Sequence, residues 1–147
     1  MRRLFISFCL SLATLSAQAE VIDIDSAELE RLIKSGIPVI DIRTQGEWEE
    51  TGIISGSKLN TFFDDKGKAE PAAWLEKVKP VAKPDQAIIL ICRSGNRTKP
   101  ASQFLSQQAG YAKVYNVKNG IKGWVKDGGT LTPAAQTLAS CRATKTC

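Results

Sequence analysis

From residue 20 to about residue 128, short blocks of β-branched and aliphatic residues alternate with stretches whose apolar positions recur every three to four residues. Ile22-Asp-Ile24 reads as a short strand. Asp25-Ser-Ala-Glu28 then has the spacing of a capping box and opens a helix with Leu29, Leu32 and Ile33 on one face, stopped at Ser35-Gly36. Val39-Ile-Asp-Ile42 predicts a second strand, Gln45 to Glu50 a brief helix or turn, and Ser57-Lys-Leu-Asn60 a third extended piece. Residues 64–70 are charged and contain glycine, so they read as a loop, and Pro71 to Val78 reads as a helix packing Trp74, Leu75 and Val78. Ala87-Ile-Ile-Leu-Ile91 has no polar alternation, which suits a central parallel strand covered on both faces. Pro100 to Ala109 predicts a helix with Ala101, Phe104 and Leu105 inward and Gly110 just past its end. Val114 to Val117 is the next strand, Asn119-Gly120 a turn, and Ile121 to Lys126 a last short helix carrying Trp124. Five strands alternating with helices predict an α/β domain with a mostly parallel, five-stranded central sheet flanked by helices in three layers.

The amino terminus changes the picture. Met1-Arg-Arg, an apolar run from Leu4 to Leu15 and Ala17-Gln-Ala19 have the three-part layout of a secretory signal peptide over residues 1–19, cleaved before Glu20. The apolar run is too short for the ~20 residues of a spanning helix, so no membrane anchor is expected after processing. The mature chain is expected in the periplasm, as a domain over residues 20–130 with a tail over 131–147. Of the 20 basic residues, Arg2 and Arg3 leave with the signal, so 18 stand against 15 acidic side chains, a net +3. That mild, interleaved excess argues against a nucleic-acid partner and leaves small anions as plausible ones. Oligomeric state is not encoded in any heptad or long apolar stripe.

Candidate chemistry centres on Cys92-Arg-Ser-Gly-Asn-Arg97, directly after the most apolar strand. Ligands of open α/β sheets bind beyond the carboxyl ends of the strands. Gly95 and Asn96 allow the backbone to curl, so that several N–H groups turn inward at a helix start and form an anion cradle. Those donors, with Arg93 and Arg97, favour Cys92 as a thiolate nucleophile. The chain has no histidine, which disfavours hydrolysis by a Cys–His pair and removes the His-containing zinc sets. No metal and no cofactor is expected. Cys141 and Cys147 are close enough to form a disulfide in an oxidising compartment, leaving Cys92 free.

These residues resemble the single-domain rhodaneses. Val39-Ile-Asp-Ile-Arg-Thr-Gln-Gly-Glu-Trp48 with Gly52-Ile-Ile-Ser-Gly56 is similar to that family's first signature, Ile89-Leu-Ile-Cys-Arg-Ser-Gly-Asn-Arg97 to its active-site strand and loop, and Val117 to Trp124 to its ending. The chain departs where the signature often has Gly-His-Ile-Pro-Gly-Ala and here reads Gly-Ile-Ile-Ser-Gly-Ser57, and the stretch beyond Pro133 has no counterpart in the family core. The resemblance implies a sulfurtransferase of the thiosulfate type, passing sulfur from a small sulfur-containing anion to cyanide or a thiol through a Cys92 persulfide. Arg93 and Arg97 would attract the anionic donor, Ser94 would hydrogen-bond the persulfide, Gly95 and Asn96 would shape the cradle, and Asp41 and Arg43 would brace the loop as an ion pair. Related phosphatases and arsenate reductases place five residues between cysteine and arginine, whereas Cys92 and Arg97 enclose four. Two further readings remain: a non-catalytic binding module, and a redox or sulfur relay in which a tail cysteine attacks the Cys92 persulfide.

Overall fold

The computed structural model describes residues 19–147. The expected signal segment lies outside the described residues but for Ala19. The elements run β1 (Glu20–Ile24), α1 (Ser26–Lys34), β2 (Val39–Asp41), α2 (Gln45–Thr51), β3 (Lys58–Leu59), α3 (Pro71–Val78), β4 (Ile88–Ile91), α4 (Thr98–Gln103), β5 (Lys113–Val117), α5 (Gly120–Lys126) and α6 (Ala135–Thr144). After Gln103, α4 widens into a π-helical turn over Phe104–Gln108. No helix among the described residues is long and apolar enough to cross a membrane.

All five strands are parallel, in the order β1-β5-β4-β2-β3. Because strand side chains alternate, the continuous apolar run of β4 feeds two cores at once. Ile88 and Leu90 join Ile40, Trp74, Val78, Ala101, Leu105 and Val114 under α3 and α4. Ile89 and Ile91 join Leu29, Leu32, Val39, Val117 and Ile121 under α1 and α5. Cys92, two residues beyond Leu90, falls on the α3 and α4 side. Local signals agree with this packing. Asp25 caps α1 by accepting the Glu28 N–H at 3.0 Å, and Pro71 occupies the first turn of α3.

The carboxyl-terminal stretch differs from the expected tail. Thr132 and Ile53 exchange backbone hydrogen bonds at 2.9 and 2.8 Å, and α6 closes a third core cluster in which Ala134, Leu138 and Cys141 cover Trp48, Ile53 and Leu59. Residues 131–147 therefore pack against the β3 edge of the domain. Their pattern conceals this, because the buried face of α6 is only Leu138 and Cys141 in an otherwise small and polar helix.

Candidate active site

At the end of β4 the Cys92 and Arg93 carbonyls are taken by the opening N–H groups of α5, from Ile121 at 2.8 Å and Lys122 at 3.0 Å. A helix start has N–H groups without internal partners, and here they fix the loop's carbonyls outward. The loop then turns the other way around the sulfur: the Gly95 N–H donates to Cys92 Sγ at 3.1 Å. Two glycines make the approach possible. Gly95 has φ +90°, and a Cβ there would run into the Lys118 carbonyl; Gly120 has φ +56°, and a Cβ there would strike the Cys92 and Arg93 backbone. Cys92 is 1% exposed and is the free cysteine among the described residues.

Thr98 belongs to this site and was absent from the sequence expectations. Its hydroxyl donates to the Gly95 carbonyl at 2.9 Å and lies 3.8 Å from Cys92 Sγ, and the residue is fully buried. The signal was the hydroxyl itself, one residue past Arg97, but reading the helix as starting at Pro100 left it in neither element.

The two loop arginines are placed differently. Arg93 is exposed and lies outside every ion pair among the described residues. Arg97, expected to face the donor beside it, instead grips Glu47 of α2 with both guanidinium nitrogens at 2.6 Å. Its charge is therefore balanced within the fold. Ser94 and Asn96 are exposed. Burial alone would raise the Glu47 carboxyl, but the Arg97 bonds, the Thr44 N–H and the charges of Arg97 and Arg43 together hold it below the ordinary 4.5. In turn, the Glu47 hydrogen bonds raise Arg97 above its usual value.

A stability prediction follows for this clamp. A carboxyl depressed by folding stabilises the native state above its unfolded value and loses that contribution as pH falls through its folded one. Glu47→Gln is expected to cost about 1–2 kcal/mol near neutral pH, the range for a partly buried, charge-assisted bidentate pair discounted for solvent screening. In urea melts the gap between wild type and variant should narrow as pH drops below the ordinary 4.5. A gap that stays constant on acidification would mean that Glu47 supports the fold through something other than its charge.

Asp41 and Arg43 do pair, at 2.6 Å, and both are buried. They reach the loop only indirectly. Arg43 also donates to Thr51 Oγ1 at 2.7 Å and to the Gly52 carbonyl at 2.9 Å, which fixes the end of α2 and so the helix that presents Glu47 to Arg97. Cys141 and Cys147 form a disulfide. Cys141 sits in the α6 cluster rather than in the cluster holding Cys92, so neither tail sulfur is presented to the loop as a relay would require.

The family model for the rhodanese-like domain matches residues 25–127. A thiosulfate sulfurtransferase of Arabidopsis thaliana is 30% identical over 118 residues, covering 78% of this chain and 86% of that protein. A sulfurtransferase of Allochromatium vinosum is 41% identical over 108 residues, covering 72% of this chain and 90% of that one. Among solved structures, a rhodanese-related protein of Thermoplasma volcanium superposes with a TM-score of 0.58 at 28% identity, over 76% of this chain and 97% of the other.

Proposed function

The chain belongs to the rhodanese-like domain family, and from that membership we propose that it is a sulfurtransferase working through a persulfide on Cys92. The observation that carries the reading is the sulfur at the carboxyl end of β4, held by the Gly95 N–H at 3.1 Å in a loop whose next residue, Arg93, is exposed and in no ion pair among the described residues. The Cys92 thiolate attacks the outer sulfur of thiosulfate; the S–S bond of the donor breaks and sulfite leaves with the electron pair. The acceptor, cyanide or a thiolate, then attacks the outer sulfur of the persulfide and restores the Cys92 thiolate. Arg93 attracts the donor and offsets charge on the departing sulfite, the loop N–H groups and Thr98 cradle the persulfide, and Arg97 with Glu47 holds the loop's far end.

Two observations weigh against phosphoryl or arsenate chemistry. The loop closes on its own sulfur, and the arginine that would clamp a tetrahedral oxyanion is committed to Glu47. A binding module would have no use for a free sulfur in such a cradle. We further propose that the protein is exported: residues 1–19 have the layout of a signal peptide, none of the described elements includes them, and a disulfide between Cys141 and Cys147 fits an oxidising compartment. The test is to incubate the mature protein with thiosulfate alone. Intact mass should rise by one sulfur, the adduct should map to the Cys92 peptide, and cyanide should release it as thiocyanate. A free, accessible Cys92 that takes up no sulfur overturns the assignment for this donor.

A further inference from the structure

Beside the cysteine loop lies a row of cations that the sulfur chemistry does not use. Lys118, Lys122 and Lys126 recur every fourth residue through a nine-residue stretch without an acidic side chain. All three are exposed and none is in an ion pair among the described residues. The row starts at the site itself. Lys118 lies against Gly95 through its carbonyl, Lys122 donates its N–H to Arg93, and Ser94, Lys122 and Lys126 line one shallow groove. Arg93, exposed and one residue past Cys92, adds a fourth cation beside the row. Asp127 also lines that groove at its far end, one carboxylate oxygen accepting from the Ser26 hydroxyl at 2.7 Å. Val125, between these lysines on α5, is 49% exposed; it and Val21 are the exposed large hydrophobics among the described residues.

We propose that this face docks an acidic segment of a partner protein that presents the acceptor thiol to Cys92, an inference that rests on the sulfurtransferase reading above. A donor such as thiosulfate is met by Arg93 alone. The helix adds about 6 Å between Lys122 and Lys126 before side-chain reach, so the row outspans a small anion and matches a run of carboxylates along a chain. An isolated valine among the cations gives an apolar contact for a protein surface but too little to enter a bilayer, which takes a continuous apolar face. Like charges held unpaired beside a reactive group also raise the local concentration of an oppositely charged partner. The docked thiolate attacks the outer persulfide sulfur, the bond to Cys92 Sγ breaks, and the partner leaves as a persulfide.

The experiment loads Cys92 with sulfur from thiosulfate and offers two cysteine peptides of equal length, one flanked by glutamates and the other by glutamines in their place. At low ionic strength kcat/KM for the acidic peptide is expected to exceed that for its neutral twin by about tenfold, and to approach parity at about 0.5 M salt. In Lys122→Glu/Lys126→Glu the preference should invert, each peptide serving as the other's control for loop integrity. Equal rates for both peptides on loaded wild-type enzyme overturn the docking face alone. Failure of Cys92 to load sulfur overturns the sulfurtransferase reading together with it. Co-sedimentation with anionic phospholipid vesicles, without any preference for the acidic peptide, would assign the face to a membrane and overturn it as well.

Discussion

Cys92→Ser is expected to abolish sulfur uptake from thiosulfate and to lower thiocyanate formation by at least about 10³-fold, while the protein still folds. Serine keeps the shape of the side chain but replaces a sulfur nucleophile with a hydroxyl that needs a neighbouring base. The chain has no histidine to supply one. Thr98 and the Gly95 N–H can hydrogen-bond the serine but cannot remove its proton. The other cysteines among the described residues cannot substitute, since Cys141 and Cys147 are bonded to each other in a different core cluster. The stability cost should be about 1 kcal/mol, because a small polar group replaces a small buried one with donors and acceptors within reach. Stopped assays with cyanide, intact mass and a urea melt on the same preparation check all three statements. Thiocyanate formation that persists in a folded Cys92→Ser protein would place the chemistry elsewhere and remove the persulfide from the mechanism.

The residues that announced the site are those whose signal is local. Ile88 to Ile91 declare a strand covered on both sides because four apolar residues in succession leave no face for water. Cys92, Gly95 and the change to polar residues mark the loop for the same reason, since only a backbone turn at a strand end needs that sequence. What stayed hidden depends on partners remote along the chain. Arg97 reads as a free cation until Glu47, 50 residues earlier, is brought to it by α2. The pull on α2 comes from Arg43 reaching Thr51 and Gly52, contacts that a pairing with Asp41 alone did not suggest. α6 was missed for the opposite reason: its burial is small, and its place is set by Trp48, Ile53 and Leu59, whose own pattern gives no hint of what covers them. Gly120 shows a third case. It was read as half of a turn, but the fold needs it because nothing larger fits against the Cys92 carbonyl.

The largest loss of stability is expected from Arg43→Ala, about 3–5 kcal/mol in urea unfolding. Arg43 is 1% exposed and Asp41 is 0% exposed, so removing the guanidinium leaves a carboxylate with neither water nor its counter-ion. The remaining Asp41 bond, from the Arg43 backbone N–H at 3.2 Å, cannot offset a full charge. The same substitution frees Thr51 Oγ1 and the Gly52 carbonyl, so the end of α2 loosens and Glu47 holds Arg97 less firmly; activity should fall along with stability. Arg43→Lys should recover only part of the loss, because an ammonium cannot serve Asp41, Thr51 and Gly52 in the planar arrangement that a guanidinium provides. The decisive comparison is a double-mutant cycle. If the cost arises from the orphaned charge, Asp41→Ala/Arg43→Ala will be less destabilised than the two single losses together, since removing both ions removes the burial penalty of each. Additive losses would show instead that the two side chains act separately, Arg43 through α2 and Asp41 through the backbone of β2, and the ion pair would cease to be the joint that connects the sheet to the cysteine loop.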